Sequence, residues 1–138
     1  MKELLSLLRA MQMYAHSAHL LCKTQSFLSD HELFGSFYAE HEADFDGVAE
    51  RIIGLYGEDS LNLQSLMATV TAKLADAPST GQPDNKPFFT HQLKLEQRLC
   101  DLVKQIIAAG VSPGVEQLTG EIANKSESRQ YKIKQRLK

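Results

Sequence analysis

Apolar residues recur at steps of three and four along most of the chain, a pattern that predicts long amphipathic helices. The first helix spans Leu4 to Leu21 and ends at a polar break, "KTQS". The second begins at Ser26 or at Ser29, since either serine can cap a helix, and ends near Gly54 and Gly57. Its apolar stripe consists of Phe34, Phe37, Tyr38, Phe45, Val48, Ala49 and Ile52.

The second half of the chain predicts two more long helices after a long connection. Residues 58–77 carry a shorter apolar pattern, so the connection contains a small helix, which "PSTGQPDNKP" ends. The third long helix runs from about Phe88 to Ala109, and a last helix with a basic end follows. No alternating stretch of strand length occurs. This connectivity predicts an all-α, ferritin-like four-helix bundle with a short extra helix in the crossover.

The length of the chain limits the number of domains, and its net charge bears on which partners it attracts. A chain of 138 residues, 43% of them hydrophobic, is enough for one core and too short for two ordinary domains. We therefore expect residues 1–138 to form a single ferritin-like domain. The formal net charge of -2 gives no overall attraction to nucleic acid or to an anionic membrane.

Neither the N-terminus nor the cysteines indicate export or insertion into a membrane. The N-terminal apolar stretch is too short to span a bilayer, and Arg9, His16 and His19 interrupt it, unlike a secretion signal. Cys22 and Cys100 lie far from any zinc-like cluster and are expected to be buried, reduced thiols. These features predict a cytoplasmic protein without a membrane partner.

Carboxylates and imidazoles cluster around the second long helix. Asp46 and Glu50 are four residues apart, so they project from one face, where two carboxylates can share a cation. Alone, such a pair is more typical of a solvated helix face. His31 lies near the start of the same helix, and His19 near the end of the preceding one. The two imidazoles flank one turn and can converge on a metal ion.

One chain cannot bring these imidazoles and carboxylates to the same ion. Fifteen residues separate His31 from Asp46, which corresponds to roughly 22 Å along a helix. If the helix pairs antiparallel with its copy about a two-fold axis near residues 38 and 39, position 31 of one chain faces position 46 of the other. The sequence therefore predicts two identical sites per dimer, each with His19 and His31 from one chain and Asp46 and Glu50 from its partner.

The stretch "HLLCKTQSFLSDHELFGSFYAEHEADFDGVAERI", residues 19–52, resembles the signature of the Dps family of dodecameric mini-ferritins. In that family, two histidines, an aspartate and a glutamate at these spacings form an inter-subunit ferroxidase site. They match His19, His31, Asp46 and Glu50 here. The resemblance implies a homododecamer that binds Fe(II), oxidises it with hydrogen peroxide in preference to dioxygen, stores ferric mineral in a hollow shell and protects against oxidative stress. Zinc is a possible substitute for iron.

The chain departs from the family pattern at three points. Leu20 stands where members commonly have a tryptophan suited to trapping stray oxidising equivalents. Gly35 replaces an acidic residue that helps to hold a second iron, so we expect that iron to bind weakly. We also expect no lysine-rich N-terminal arm of the kind through which some members bind DNA, because the first predicted helix starts almost at Met1.

Two alternative functions stay open at this point. A non-catalytic shell that binds zinc or a single iron without turnover would fit Gly35. A DNA-compacting protein would fit the basic end of the last helix, although these cations would equally complement the helix dipole. The cations are Lys125, Arg129, Lys132, Lys134, Arg136 and Lys138.

Three further histidines and two acidic residues lie outside the predicted metal site. His16 is expected on a polar helix face, and His41 on an exposed or inter-subunit surface of the second helix. His91 has no predicted partner. Glu116 and Glu121, near the start of the last helix, are candidates for lining an iron pore.

Overall fold

The computed structural model describes residues 1–138 and contains five α-helices and no strand. The helices are α1 (Lys2–Leu21), α2 (Phe27–Tyr56), α3 (Leu63–Lys73), α4 (Lys86–Ala108) and α5 (Pro113–Leu137), with one 3₁₀ turn at Glu58–Ser60. The predicted all-α class, the four long helices and the small crossover helix are all confirmed.

Local sequence explains where the helices begin and end. Ser26, not Ser29, is the N-cap of α2, and the Ser29 hydroxyl donates to the Ser26 carbonyl instead. Gly57 ends α2 with a φ of +88°, a backbone conformation that costs glycine little. Ser112 caps α5 by accepting a hydrogen bond from the amide of Val115, and a proline follows it at the first helical position.

The bundle is built from two helical hairpins. Helix α1 packs along α2, and α4 packs along α5, while α1–α4 and α2–α5 contacts join the two hairpins. The crossover helix α3 lies against α1. Large fully buried side chains fill the centre, and burial of each contributes about 1.5–3 kcal/mol. They include Leu4, Leu7, Leu8, Met11, Phe34, Phe37, Ile52, Phe88, Phe89, Leu99 and Ile122.

Several polar side chains are buried among these apolar ones. His41 is 0% exposed, so its predicted place on an exposed or inter-subunit surface is wrong. The physical reason is that α4 provides a charge partner, Glu96, whose carboxylate lies 3.2 Å from His41 Nε2 inside the bundle.

The two cysteines were predicted to be buried, reduced thiols, and none of the helices was predicted to span a membrane. Cys22 is buried and Cys100 is half-buried, and both are free thiols. None of the helices combines the length and the apolar character that a membrane span requires.

Candidate metal centre

Two imidazoles lie against each other where α1 ends and α2 begins. The ring centroids of His19 and His31 are 3.6 Å apart, and the ring planes are inclined by 22°. Phe27 lies 5.0 Å from His31, and Tyr38 lies 5.3 Å from His19, between centroids. The turn between the two helices therefore brings together the two histidines of the predicted site.

Each imidazole is held by the backbone of the other helix. Nδ1 of His19 is 2.6 Å from the carbonyl oxygen of His31, and Nδ1 of His31 is 2.7 Å from that of His19. A carbonyl oxygen only accepts hydrogen bonds, so both Nδ1 atoms carry hydrogen and donate. In the neutral rings the lone pairs are then on the Nε2 atoms, and this is the tautomer that ligates a metal through Nε2.

Gly35 lies beside the ring of His19. A Cβ atom at this position would be 3.1 Å from His19 Nδ1 and 3.2 Å from Cε1, closer than most Cβ contacts. The space that a side chain at position 35 would need is thus partly taken by the imidazole. An acidic side chain at position 35 would therefore require the ring of His19 to move.

The two carboxylates of the predicted site lie elsewhere on the same chain. Asp46 and Glu50 are exposed, one turn apart on α2. No group of three or more histidine, cysteine, aspartate or glutamate side chains within the chain is arranged to hold a metal ion. The chain thus brings together half of the predicted ligands and leaves the other half on an open helix face.

His16 lies close to the same cluster. Its ring centroid is 4.5 Å from that of Tyr38 and 6.2 Å from that of His19. The side chain is exposed, which agrees with the polar helix face predicted for it. It extends the aromatic surface around the imidazole pair without joining its hydrogen bonds.

The basic end of α5 is only partly free. Three of its six cations form ion pairs within the chain. The pairs are Lys125 with Asp44, Arg129 with Glu40 and Glu96, and Arg136 with Asp30. Lys132, Lys134 and Lys138 remain exposed. Half of the positive charge considered for DNA contact is thus compensated inside the molecule.

A buried polar cluster around Glu96 was not predicted. This carboxylate accepts hydrogen bonds from Arg129 at 2.8 and 3.1 Å, from Ser126 at 2.6 Å and from Gln92 at 2.8 Å. Burial alone would raise the pKa of Glu96, but hydrogen bonds and charge from His41 and Arg129 outweigh it and lower the pKa to about 2. An ionised carboxylate that is already satisfied by these donors is not available to bind iron.

A sequence signal for this cluster exists in hindsight. His41 lies four residues after Phe37 and four before Phe45, so it occupies a place in the apolar stripe of α2. Arg129 lies seven residues after Ile122 and four before Ile133, so it also occupies a place in the apolar stripe of α5. A charged residue at a stripe position is a candidate for a buried ion pair.

Comparisons with known proteins address the fold. The chain superposes on Dps from Thermosynechococcus elongatus with a TM-score of 0.85, covering 99% of this chain and 87% of that one at 20% identity. It has the fold of the Dps proteins. Dps92 from Deinococcus radiodurans gives a TM-score of 0.77, covering 96% of this chain and 80% of that one at 24% identity. No family model matches the sequence, and no curated protein matches it significantly. The sequence resemblance to the Dps family is thus confirmed at the level of the fold.

Proposed function

We propose that this chain is a Dps-like mini-ferritin subunit, a single domain of residues 1–138 that assembles into a cytoplasmic shell and oxidises and stores iron. One observation carries the proposal. The reciprocal Nδ1–carbonyl hydrogen bonds of His19 and His31 hold two stacked imidazoles and leave the Nε2 lone pair of each ring out of these bonds. Such a pair of pre-oriented imidazoles is half of a metal site.

The other half would come from a second copy of the chain. Asp46 and Glu50 are exposed, and antiparallel pairing of α2 would place them beside the histidines of the partner. The same pairing would cover apolar side chains at both ends of α2, since the start of one helix meets the end of the other. These side chains are Phe27, Leu28 and Tyr56, which are 44–68% exposed. Charge and apolar surface thus favour the same dimer, from which the proposed dodecamer would be built.

The chemistry follows from the types of ligand. Imidazole nitrogens suit Fe(II), and carboxylates favour the more highly charged Fe(III) product. In the proposed reaction, two Fe(II) ions each give one electron to one hydrogen peroxide molecule, which takes up two protons and becomes two water molecules. Because each subunit supplies only half of the ligands, the oxidation would depend on assembly. Gly35 adds no carboxylate, so one of the two iron ions would have fewer ligands.

Stopped-flow absorbance tests this proposal by following Fe(II) oxidation by the purified assembled protein, with hydrogen peroxide and separately with air. Particle size is measured by light scattering in the same samples. We expect His31→Ala and Asp46→Asn to slow the oxidation by more than about tenfold without changing particle size. Asp101→Asn, which removes an exposed acid on α4, is the matched control and should react like the wild type.

Two outcomes would favour the alternative functions. A shell of the expected size that oxidises iron no faster than a protein-free solution, while still binding zinc, would indicate a non-catalytic metal-binding shell. Retention of DNA in a gel at low salt, lost when Lys132, Lys134 and Lys138 are changed to glutamine, would indicate DNA compaction. The internal ion pairs of Lys125, Arg129 and Arg136 make this second outcome less favourable.

A further inference from the structure

The turn that joins the two histidine-bearing helices is held by a residue from the second half of the chain. Asn85, the N-cap of α4, accepts a hydrogen bond from the amide of Lys23 at 2.9 Å and donates to the Lys23 carbonyl at 2.7 Å. Thr24, the next residue, has a φ of +72°, a conformation that non-glycine residues adopt only where their surroundings enforce it. Asn85 is 0% exposed, so no water competes for these bonds.

The first turn of α2 is held in the same way. Asp30 is 1% exposed, and both of its carboxylate oxygens lie 2.8 Å from the guanidinium of Arg136, Oδ1 from Nε and Oδ2 from Nη2. The side chain of Asn85 also donates to Asp30 Oδ2 at 2.8 Å. The hydrogen bond to Asp30 raises the pKa of Arg136, which keeps the guanidinium charged. A two-pronged arginine–carboxylate pair fixes orientation as well as distance.

The segments held by these contacts lie next to the two histidines. Asp30 directly precedes His31, and the turn held by Asn85 begins at the end of α1, which carries His19. Each ring is anchored to the backbone of the opposite helix, so a relative shift of the two helix ends would pull both Nδ1 atoms from their acceptors. The geometry of the two Nε2 atoms therefore depends on contacts made 55 and 106 residues away along the chain.

We propose that Asp30, Asn85 and Arg136 are positioning residues that set the spacing of the His19 and His31 Nε2 atoms, and with it the metal affinity of the site. They would touch no metal themselves. The inference rests on the proposed function, because it concerns the same imidazole pair. It adds that the last turn of α5 and the start of α4 determine how well the α1–α2 hairpin binds metal.

Cobalt(II) binding to the assembled protein tests the inference, since Co(II) reports its ligands through visible absorption. We expect Arg136→Ala to lower the cobalt affinity about 10- to 100-fold, as loss of an outer-shell partner commonly does, and to change the absorption spectrum. Lys134→Ala, which removes an exposed cation from the same helix, is the control and should leave both unchanged. Millimolar methylguanidinium should restore the Arg136→Ala protein, and Arg136→Lys should show an intermediate affinity.

The possible results separate the inference from the proposed function. If the wild type binds no cobalt, or if His31→Ala binds it equally well, the proposed metal site is wrong and the inference fails with it. If the wild type binds cobalt through His31 and Arg136→Ala binds it equally well, only the positioning role is overturned. A weaker affinity with an unchanged spectrum and no rescue reflects a loss of folded sites and also overturns it. If Arg136→Ala does not assemble, Arg136→Lys decides, because an unchanged affinity there contradicts the role of the two-pronged pair.

Discussion

Replacement of Arg129 by methionine should reveal how strongly the buried polar cluster constrains the fold. Arg129 is 1% exposed and Glu96 is 0% exposed, so the substitution leaves an ionised carboxylate inside the bundle without its guanidinium. Ser126 and Gln92 still donate to Glu96, and His41 stays 3.2 Å away, but the guanidinium with its two hydrogen bonds is lost. Breaking a buried ion pair from one side costs about 3–5 kcal/mol. A loss of that size is a large part of the roughly 5–15 kcal/mol by which a domain is stable.

A double variant separates the uncompensated charge from the loss of packing. Glu96→Gln combined with Arg129→Met keeps the shape of the site and an oxygen acceptor for Ser126, and it removes both charges of the Glu96–Arg129 pair. We expect the double variant to be more stable than Arg129→Met alone, with a coupling of about 0.5–3 kcal/mol between the two positions. Arg98→Met, at an exposed position of the same bundle, is the matched control and should change the stability by less than about 0.5 kcal/mol.

Urea denaturation followed by circular dichroism measures these differences. All variants must be compared at one subunit concentration, because assembly adds to the apparent stability by mass action. The reasoning would be refuted if Arg129→Met cost less than about 1 kcal/mol, or if the double variant were less stable than the single one.

Three further predictions follow from single contacts. Because the pKa of Glu96 falls from 4.5 to about 2 on folding, its contribution to the free energy of unfolding should be complete above pH 4.5 and be lost as the pH falls towards 2; urea titrations across this range should show a smaller pH dependence in Glu96→Gln. Gly35→Ala should press on the ring of His19 and weaken cobalt binding, whereas Gly54→Ala, in the same helix but with no neighbour within 4 Å, should leave cobalt binding unchanged and raise the melting temperature slightly, because alanine favours a helix more than glycine does. Tyr14→Phe should lower the free energy of unfolding by about 1 kcal/mol, because the buried hydroxyl donates to the Phe88 carbonyl at 2.8 Å; an unchanged urea midpoint would contradict this.

The helices were predictable because a three-to-four spacing of apolar residues depends only on the neighbours along the chain. Helix α1 begins at Lys2 rather than Leu4, and α4 begins at Lys86 rather than Phe88. These small differences arise because the polar first turn of a helix carries no apolar signal. The choice between Ser26 and Ser29 was open because either serine can cap a helix, and in the structure α2 begins directly after Ser26.

Only part of the candidate site was predictable from the sequence. The spacing of His19 and His31 across one turn indicated that the two imidazoles could meet, which they do. Their tautomers were not predictable, because these depend on which backbone atoms the folded turn presents. Asn85 and Arg136 were missed as well, since their contacts join segments far apart along the chain.

The missed cluster has a different physical cause. His41, Glu96 and Arg129 are charged or polar residue types that are usually exposed, and a sequence taken one helix at a time assigns them to the surface. Glu96 and Arg129 pair where α4 packs against α5, and His41 joins them from α2. The cluster is therefore a property of the packed bundle rather than of any single helix.

The division of the bundle into two hairpins has a consequence for the order in which the molecule forms during synthesis. Contacts within α1–α2 join residues close along the chain and can form early, while α4 and α5 are still being made. The apolar stripe of this first hairpin then stays exposed until the second hairpin arrives. Glu96 and Arg129 both belong to the α4–α5 hairpin, so these two charges can pair before they contact His41 on the α1–α2 hairpin. The final docking step thus joins the Glu96–Arg129 pair to a surface that is mostly apolar and carries His41 and Glu40 as its contacts with the pair.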